Sequence, residues 1–574
     1  MAKPWLSSYP SDVVRTLAPY PEQSVYSVFE KTVGRFPERP ALSFFGKEIT
    51  YLELAAEVDQ LSRALASMGV AKGDRAALLL PNCPQYVVGF YALQRLGAIP
   101  VGTNPLYTER ELAHQLSDAG CKVVIVLDQL FRKLEAVRSK ARVETVIVAK
   151  VTDYMPFPLN VLAPIRFKKE AKHEGRPWPP VPAGADAKSW TEVMQGMYPP
   201  APSPAVDPKE DVAALVYTGG TTGLSKGAML THFNLVANVH QASSWFPDLV
   251  EGEEVFLCVL PFFHSYGLQV GLHLCMLLGG KLVLMPRFDL KRAVKAIAKE
   301  KATVFPGVPR IYQAINDSPE SQRHDLSSIK ACISGAAPLP LSTSEKFERL
   351  TGGSLVEGYG LTECSPVTHA NPINGKRKVG SIGLPLPDTD CRLVDIDDRS
   401  KEVPTGEIGE LAIAGPQIMK GYWNRPDETA GMIGEGAGGV RWLYTGDIVR
   451  MDEEGYFFIV DRKKDMIIVS GFNVYPTEVE EVLSGHPKIQ KVAVVGIPDE
   501  RTGEAVKAFV VLRQGERATA EEIIEWSRDE HQGLTGYRVP SSVEFRDALP
   551  ETIIGKVLRR VLLEEEKKKI KSST

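Results

Sequence analysis

The run YTGGTTGLSKG, Tyr217 to Gly227, follows directly on the apolar stretch Val212 to Val216. Its glycines let backbone N–H groups approach an anion, its hydroxyls and Lys226 add further donors, and a strand-like run feeds it. A Walker loop needs glycine directly before its lysine and Ser or Thr directly after it. Here Ser225 precedes Lys226 and Gly227 follows, so ordinary ATPase or GTPase chemistry is disfavoured while the ingredients of a phosphate cradle remain. Taken alone, the run is more simply a solvated turn, and the rest of the chain has to choose.

A chain of 574 residues exceeds one core and implies two or more domains. A net charge of -4 gives no global basic footprint, which argues against nucleic acid as a partner. The seven cysteines are scattered with no CxxC pair, so neither a zinc site nor a disulfide framework is expected, and a reducing cytoplasm fits. The first residues, MAKPWLSSYPSDVV, lack the apolar core of a signal peptide. The most apolar region, Leu268 to Met285, is interrupted by His273, Gly279, Gly280 and Lys281, so no membrane span is expected.

From Ser24 to Val126 helical and strand-like runs alternate, as in VYSVFEKTVGRF, GDRAALLLP and KVVIVLD, which predicts an α/β class. Residues 152–208 are dense in proline and predict a loop-rich, partly extended excursion. Within it, Phe157, Leu159, Val161, Leu162, Ile165 and Phe167 stand beside Arg166, Lys168, Lys169 and Lys172. Such a segment either docks on an anionic membrane surface or, the plainer reading, packs on the domain itself. Alternation resumes with VFLCVLP, KLVLMP, TVFPGVP and IKACISG as strands, and DLKRAVKAIAKEKA as a helix capped by Asp289. Beyond Thr445 a smaller unit begins, in which PTEVEEVLSGHP predicts a helix with a Thr477/Glu480 capping box stopped by Gly485, and Thr519/Glu522 predicts a second box. The charged run DRKKD places the cut between 1–462 and 463–574.

Four more stretches join the opening run: PFFHSYG (Pro261 to Gly267), EGYGLTE (Glu357 to Glu363), YTGD (Tyr444 to Asp447) and LPETIIGKVLRR (Leu549 to Arg560). In this order they resemble the adenylate-forming superfamily of acyl-CoA synthetases, luciferases and peptide-synthetase adenylation domains, from about Pro4 to Arg560. The resemblance implies a large N-terminal domain of α/β subdomains carrying the AMP and acyl sites, plus a small mobile α+β C-terminal domain. It implies ATP, Mg²⁺ and coenzyme A as cofactors and substrates.

Residue by residue, the resemblance gives Thr218, Gly219, Gly220, Thr221, Thr222, Gly223, Ser225 and Lys226 to the β and γ phosphates that leave as pyrophosphate. Gly335, Ala336 and Ala337 of SGAAPL flank the adenine, with Glu357, Gly358, Tyr359 and Gly360 on its other side. Thr362 contacts the α-phosphate, Glu363 with Thr222 serves the metal, and Asp447 and Arg462 take the ribose. A carboxylate is a hard oxygen ligand suited to Mg²⁺. His264 positions the acyl carboxylate, with Phe263, Tyr266, Gly267, Leu268, Gly307 and Val308 lining the acyl pocket. Lys556 bridges the charge that crowds the attacking oxygen and the α-phosphorus, and preorganised charge of this kind contributes roughly 3 kcal/mol or more. Lys464 is the implied hinge, and Ser470, Gly471 and Phe472 serve the coenzyme A step.

The stretch WLYTGDIVRMDEEGYFFIVDRKKDMIIVSGFNVYP and the early PWLSSYP and NPLYTERELAHQL look like bacterial long-chain fatty acid CoA ligases. A tryptophan that gates the tunnel in some of these is Leu268 here, so medium-chain acids stay open, as does an aryl acid. An acyl-AMP ligase that loads a separate carrier protein is a further alternative, although VLLEEEKKKIKSST after Arg560 holds no GGxS serine. A non-catalytic acyl-binding scaffold is opposed by the presence of Glu363 and Lys556. A homodimer and a peripheral position at the inner face of the cell membrane are compatible with the resemblance.

Overall fold

The computed structural model describes residues 3–573 apart from 174–177, 219–224, 500, 529–533, 535 and 553–556. The strand Val212–Thr218 is apolar and buried along most of its length, as expected of a strand covered on both faces. It pairs in parallel with Ile99–Gly102 and antiparallel with Lys226–Thr231, Thr218 standing opposite Lys226. Around it an eight-stranded sheet runs from Gly421–Tyr422 through Lys226–Thr231, Val212–Thr218, Ile99–Gly102, Arg75–Leu79, Val123–Leu127 and Thr145–Ala149 to Lys188–Ser189.

A second layer of strands orders Val255–Cys258, Lys281–Leu284, Pro40–Phe44 and Lys47–Thr50. Val304 bridges Phe256 to Ala331 and so joins this layer to the parallel pair Ala331–Ser334 and Ser354–Gly360. The helix Pro84–Arg95 is buried on nearly all sides, which explains its apolar run YVVGFYAL. Its Gln94 donates to Ala213 O at 2.5 Å, tying the helix to the strand that leads into the glycine-rich run.

A third, antiparallel sheet contains Asp390–Val394, Ile408–Ala414, Arg441–Met451 and Ile433–Glu435, with Phe457–Arg462 paired to Arg441–Met451. One hydrophobic core reaches from Trp5 to Phe457. Separate cores begin at Ile467 and at Ala493, built on the strands Ile467–Val469, Phe472–Val474, Gly503–Leu512, Ile489–Asp499 and Ser542–Phe545. The molecule is thus a large N-terminal α/β domain with a smaller C-terminal domain. All seven cysteines are buried and unbridged. No helix among the described residues is long and apolar enough to cross a membrane.

Several local expectations hold, such as Asp289 accepting from Arg292 N at 2.9 Å to cap Leu290–Glu300. Others fail for identifiable reasons. TVFPGVP forms isolated bridges at Val304 and Gly307 instead of a strand, because Pro306 and Pro309 lack the N–H a ladder needs. The excursion is not merely extended: Leu159–His173 is a helix containing Pro164, its remaining residues being mostly good helix formers. Its apolar surface packs on the domain only in part: Ala163 and Phe167 lie against the main core, while Phe157, Val161, Leu162 and Ile165 are more than half exposed. Thr477 does not form a capping box, because Pro476 takes the first helical position and puts Thr477 inside Pro476–Ser484. Its N–H donates instead to Asp461 Oδ2 at 2.7 Å, while Glu480 accepts from Arg559. Thr519 caps its helix as expected, accepting from Glu522 N at 3.1 Å, but the Glu522 carboxylate pairs with Lys488.

Three histidines are buried in the large domain. Burial pushes His232 down to about 4, and His273 and His369 down to about 3. His232 Nδ1 accepts from Val25 N at 3.1 Å, a bond that needs the neutral ring. A pKa lowered on folding means stability is complete above the unfolded value near 6.5 and is lost as pH falls toward the folded value, by roughly 3 kcal/mol for His232. Urea midpoints should therefore fall between pH 6.5 and 5, and His232→Asn, which keeps an acceptor without the titration, should flatten that slope. An unchanged slope would remove His232 from the explanation.

Candidate active site

Four of the five motif stretches come together where the Ser354–Gly360, Arg441–Met451 and Phe457–Arg462 strands meet. Asp447 and Arg462 are directly opposite in the ladder, and Arg462 Nε lies 2.8 Å from Asp447 Oδ1. The Tyr359 hydroxyl donates to the other carboxylate oxygen of Asp447. Burial and the adjacent Asp447 hold the Tyr359 phenol well above its ordinary range, while Asp447 raises Arg462. One buried carboxylate therefore joins a strand-end aromatic to a guanidinium more than a hundred residues away.

Beyond Tyr359 the chain turns through Gly360, where a Cβ would stand 1.8 Å from Pro366 O, so only glycine fits. A short 3₁₀ turn, Thr362–Cys364, follows. Thr362 Oγ1 and Ser265 Oγ share a hydrogen bond at 3.0 Å, bringing the EGYGLTE and PFFHSYG stretches together. Glu363 is buried and accepts from the Tyr422 hydroxyl at 2.6 Å. Lys226 Nζ sits over the same Tyr422 ring, 5.2 Å from its centroid, and pairs with Glu428. Burial lowers the Lys226 pKa, opposed by the charge of Glu363. The lysine of the opening run and the acid of EGYGLTE thus face each other across one aromatic. A carboxylate backed by a phenol, beside a lysine, fits a site where Mg²⁺ is shared with substrate phosphates.

The loop bearing His264 is held by Asn82, whose side chain donates to Leu260 O at 2.8 Å and accepts from Phe262 N at 3.0 Å. Tyr86 adds a bond to Phe262 O at 2.9 Å. His264 Nδ1 accepts from Tyr266 N at 3.2 Å, which orients the ring. Gly267 packs against backbone, a Cβ there lying 2.3 Å from Pro261 O, and Leu268 is buried behind it. The Tyr266 hydroxyl donates to Ile333 O at 2.6 Å, reaching the strand Ala331–Ser334, which leads into Gly335, Ala336 and Ala337. Gly307 bridges to Ser334, and a Cβ on it would meet the Tyr312 ring at 2.8 Å, so the Gly307–Val308 segment closes on the same strand end. Glu357 pins this wall, accepting from Leu339 N at 3.0 Å, and its burial pushes its carboxyl up to about 7. Ala336 takes a left-handed φ of 69° within it.

Other predicted residues lie apart or outside the description. Lys464 is in the turn after Arg462, and burial lowers its pKa. Ser470 and Gly471, both left-handed, form the tight turn between Ile467–Val469 and Phe472–Val474. There Phe472 stacks on Tyr537 at 4.7 Å, on the exposed face of the small domain. Gly219, Gly220, Thr221, Thr222, Gly223 and Lys556 fall outside the described residues. A separate cavity of about 610 Å³, lined by Lys209, Asn234, Lys420 and Arg441 among others, contains none of the motif residues.

Residues the sequence reading missed include Ser265, which sits inside a quoted motif, and Tyr422, whose signal was an aromatic directly after glycine in MKGYWN. Asp461 and Arg559 were also missed. Asp461 supplies the carboxylate at the start of Pro476–Ser484, and Arg559 pairs with Asp465 at 3.2 Å and Glu480 at 2.6 Å and lies 4.0 Å from Asp461.

Residues 29–423 match the model described as AMP-binding enzyme, and residues 478–556 match the AMP-binding enzyme C-terminal domain. A long-chain-fatty-acid–CoA ligase of Bacillus subtilis is 46% identical over 98% of both chains. A protein of the same name from Escherichia coli O6:H1 is 42% identical over 99% of both. The ATP-bound structure of MatB from Rhodopseudomonas palustris superposes with a TM-score of 0.80 at 29% identity, covering 95% of this chain and 99% of that one. With the first match alone spanning more than half its length, the chain belongs to the AMP-binding enzyme family.

Proposed function

We propose that this chain is a long-chain fatty acid CoA ligase that works through an acyl-adenylate. In the first step a carboxylate oxygen of the acid attacks the α-phosphorus of ATP, the bond to the β-phosphate oxygen breaks, and pyrophosphate leaves. In the second step the thiol of coenzyme A attacks the acyl carbonyl, the bond to AMP breaks, and the thioester is released. The observation that carries the reading is the contact chain Ser265–Thr362, Glu363–Tyr422–Lys226 and Tyr359–Asp447–Arg462, which joins four distant motifs.

In this reading Asp447 and Arg462 receive the ribose, and Tyr359 with Gly335, Ala336 and Ala337 holds the adenine. Lys226 with Thr218, Ser225 and the glycine-rich run holds the departing phosphates. Glu363 would hold Mg²⁺, which neutralises phosphate charge when bound. Thr362 meets the α-phosphate, and His264 orients the acid. The mixed anhydride demands that water be excluded, which the close packing of Gly267 and Gly307 favours. The end-to-end match to relatives named as long-chain ligases supports a long-chain acid over an aryl or medium-chain one. The same reading puts the enzyme in the cytoplasm.

Pyrophosphate and AMP should form with palmitate and oleate in the presence of coenzyme A, and not with coumarate or benzoate. Turnover confined to aryl acids would redirect the substrate assignment, and no turnover with any acid would end the enzyme reading.

Lys556→Ala should slow pyrophosphate release by roughly a hundredfold or more while conversion of supplied oleoyl-adenylate to oleoyl-CoA persists. Equal loss of both half-reactions would contradict the division of labour. Lys226→Ala should likewise weaken ATP and pyrophosphate handling more than thiol capture, read as a raised KM for ATP with the second half-reaction preserved.

A further inference from the structure

The helix Leu159–His173 takes no part in the site described above. It docks on the large domain through Ala163 and Phe167, and Ala171, one turn on along the same stripe, is only 1% exposed. The opposite face is open, with Val161 58%, Ile165 56% and Leu162 54% exposed, and Phe157, just before the helix, is 82% exposed. Single exposed apolar residues are ordinary, whereas a contiguous group of this kind marks an interaction surface.

The helical period puts Val161, Ile165, Lys168 and Lys172 on one outward stripe, with Leu162 and Lys169 on the next. Each stripe is apolar in its first turns and cationic in its last. Glu170 is the only acid in the helix, and Arg166 takes it at 2.7 Å, leaving the lysines unmatched within the helix although the whole chain carries a net charge of -4.

We propose that this face docks on a bilayer containing anionic lipid, the apolar end entering the acyl boundary and the lysines lying among the headgroups. Lysine suits this position because its apolar stem can follow the acyl region while its ammonium stays in water. A protein partner is disfavoured because lysine is depleted at protein interfaces. A nucleic acid would leave the apolar end without a contact. The proposal deepens the long-chain reading, whose acids partition into such bilayers, but the surface itself stands on geometry and charge.

The test is flotation of the full-length protein with vesicles of phosphatidylcholine alone and of phosphatidylcholine with phosphatidylglycerol. One variant combines Val161→Ser, Leu162→Ser and Ile165→Ser; the other combines Lys168→Glu, Lys169→Glu and Lys172→Glu. Wild type should bind the anionic vesicles, more weakly as salt rises, and each variant should lose roughly tenfold or more in apparent affinity. Octanoate turnover in vesicle-free buffer should stay unchanged and so report intact folding. Equal vesicle binding by wild type and both variants would overturn the proposal. So would an apolar variant that abolishes a dimer in sedimentation while vesicle binding persists, since the face would then be a self-contact. An enzyme that binds vesicles but activates no acid would sink the ligase reading and leave the docking surface standing.

Discussion

Asp447 is nearly inaccessible to water, and a buried carboxylate is tolerated only when its oxygens are paired. Here Tyr359 and Arg462 take one oxygen each, and Asp447 N donates to Thr445 Oγ1 at 3.1 Å. This arrangement fixes three strands at once. Glu363 follows Tyr359 by four residues and Lys464 follows Arg462 by two, so the acidic wall of the site and the start of the small domain take their positions from the same carboxylate. A neutral residue at 447 would free both ends together.

The junction with the small domain has its own physical logic. Helix Pro476–Ser484 lacks a cap from its own leading residue and is capped instead by Asp461, on the last strand of the large domain. Arg559 adds a cation between Asp465 and Glu480. Any rotation about the proposed hinge at Lys464 has to give up the Asp461–Thr477 bond.

Much of this was legible in the sequence because the motifs report backbone demands. Glycine at 360 and 267 answers to carbonyl oxygens within 2.3 Å of a would-be Cβ, and the parallel strands announce themselves as unbroken apolar runs. Less legible were contacts between residues with no local pattern. Tyr422 meets Glu363 and Lys226 only after the chain has crossed two sheets, and Asp461 reads as one charge in a charged linker until helix Pro476–Ser484 is laid against it. The excursion misled for a different reason, since proline density concealed a helix whose own segment holds a single proline.

Acyl-adenylate formation is tested most directly by oxygen transfer. Palmitate labelled with ¹⁸O in both carboxylate oxygens, turned over with ATP and coenzyme A, should yield AMP carrying one ¹⁸O atom, because the attacking carboxylate oxygen stays with the α-phosphorus when the thiol displaces AMP. Label in pyrophosphate or phosphate, with AMP unlabelled, would contradict attack at the α-phosphorus.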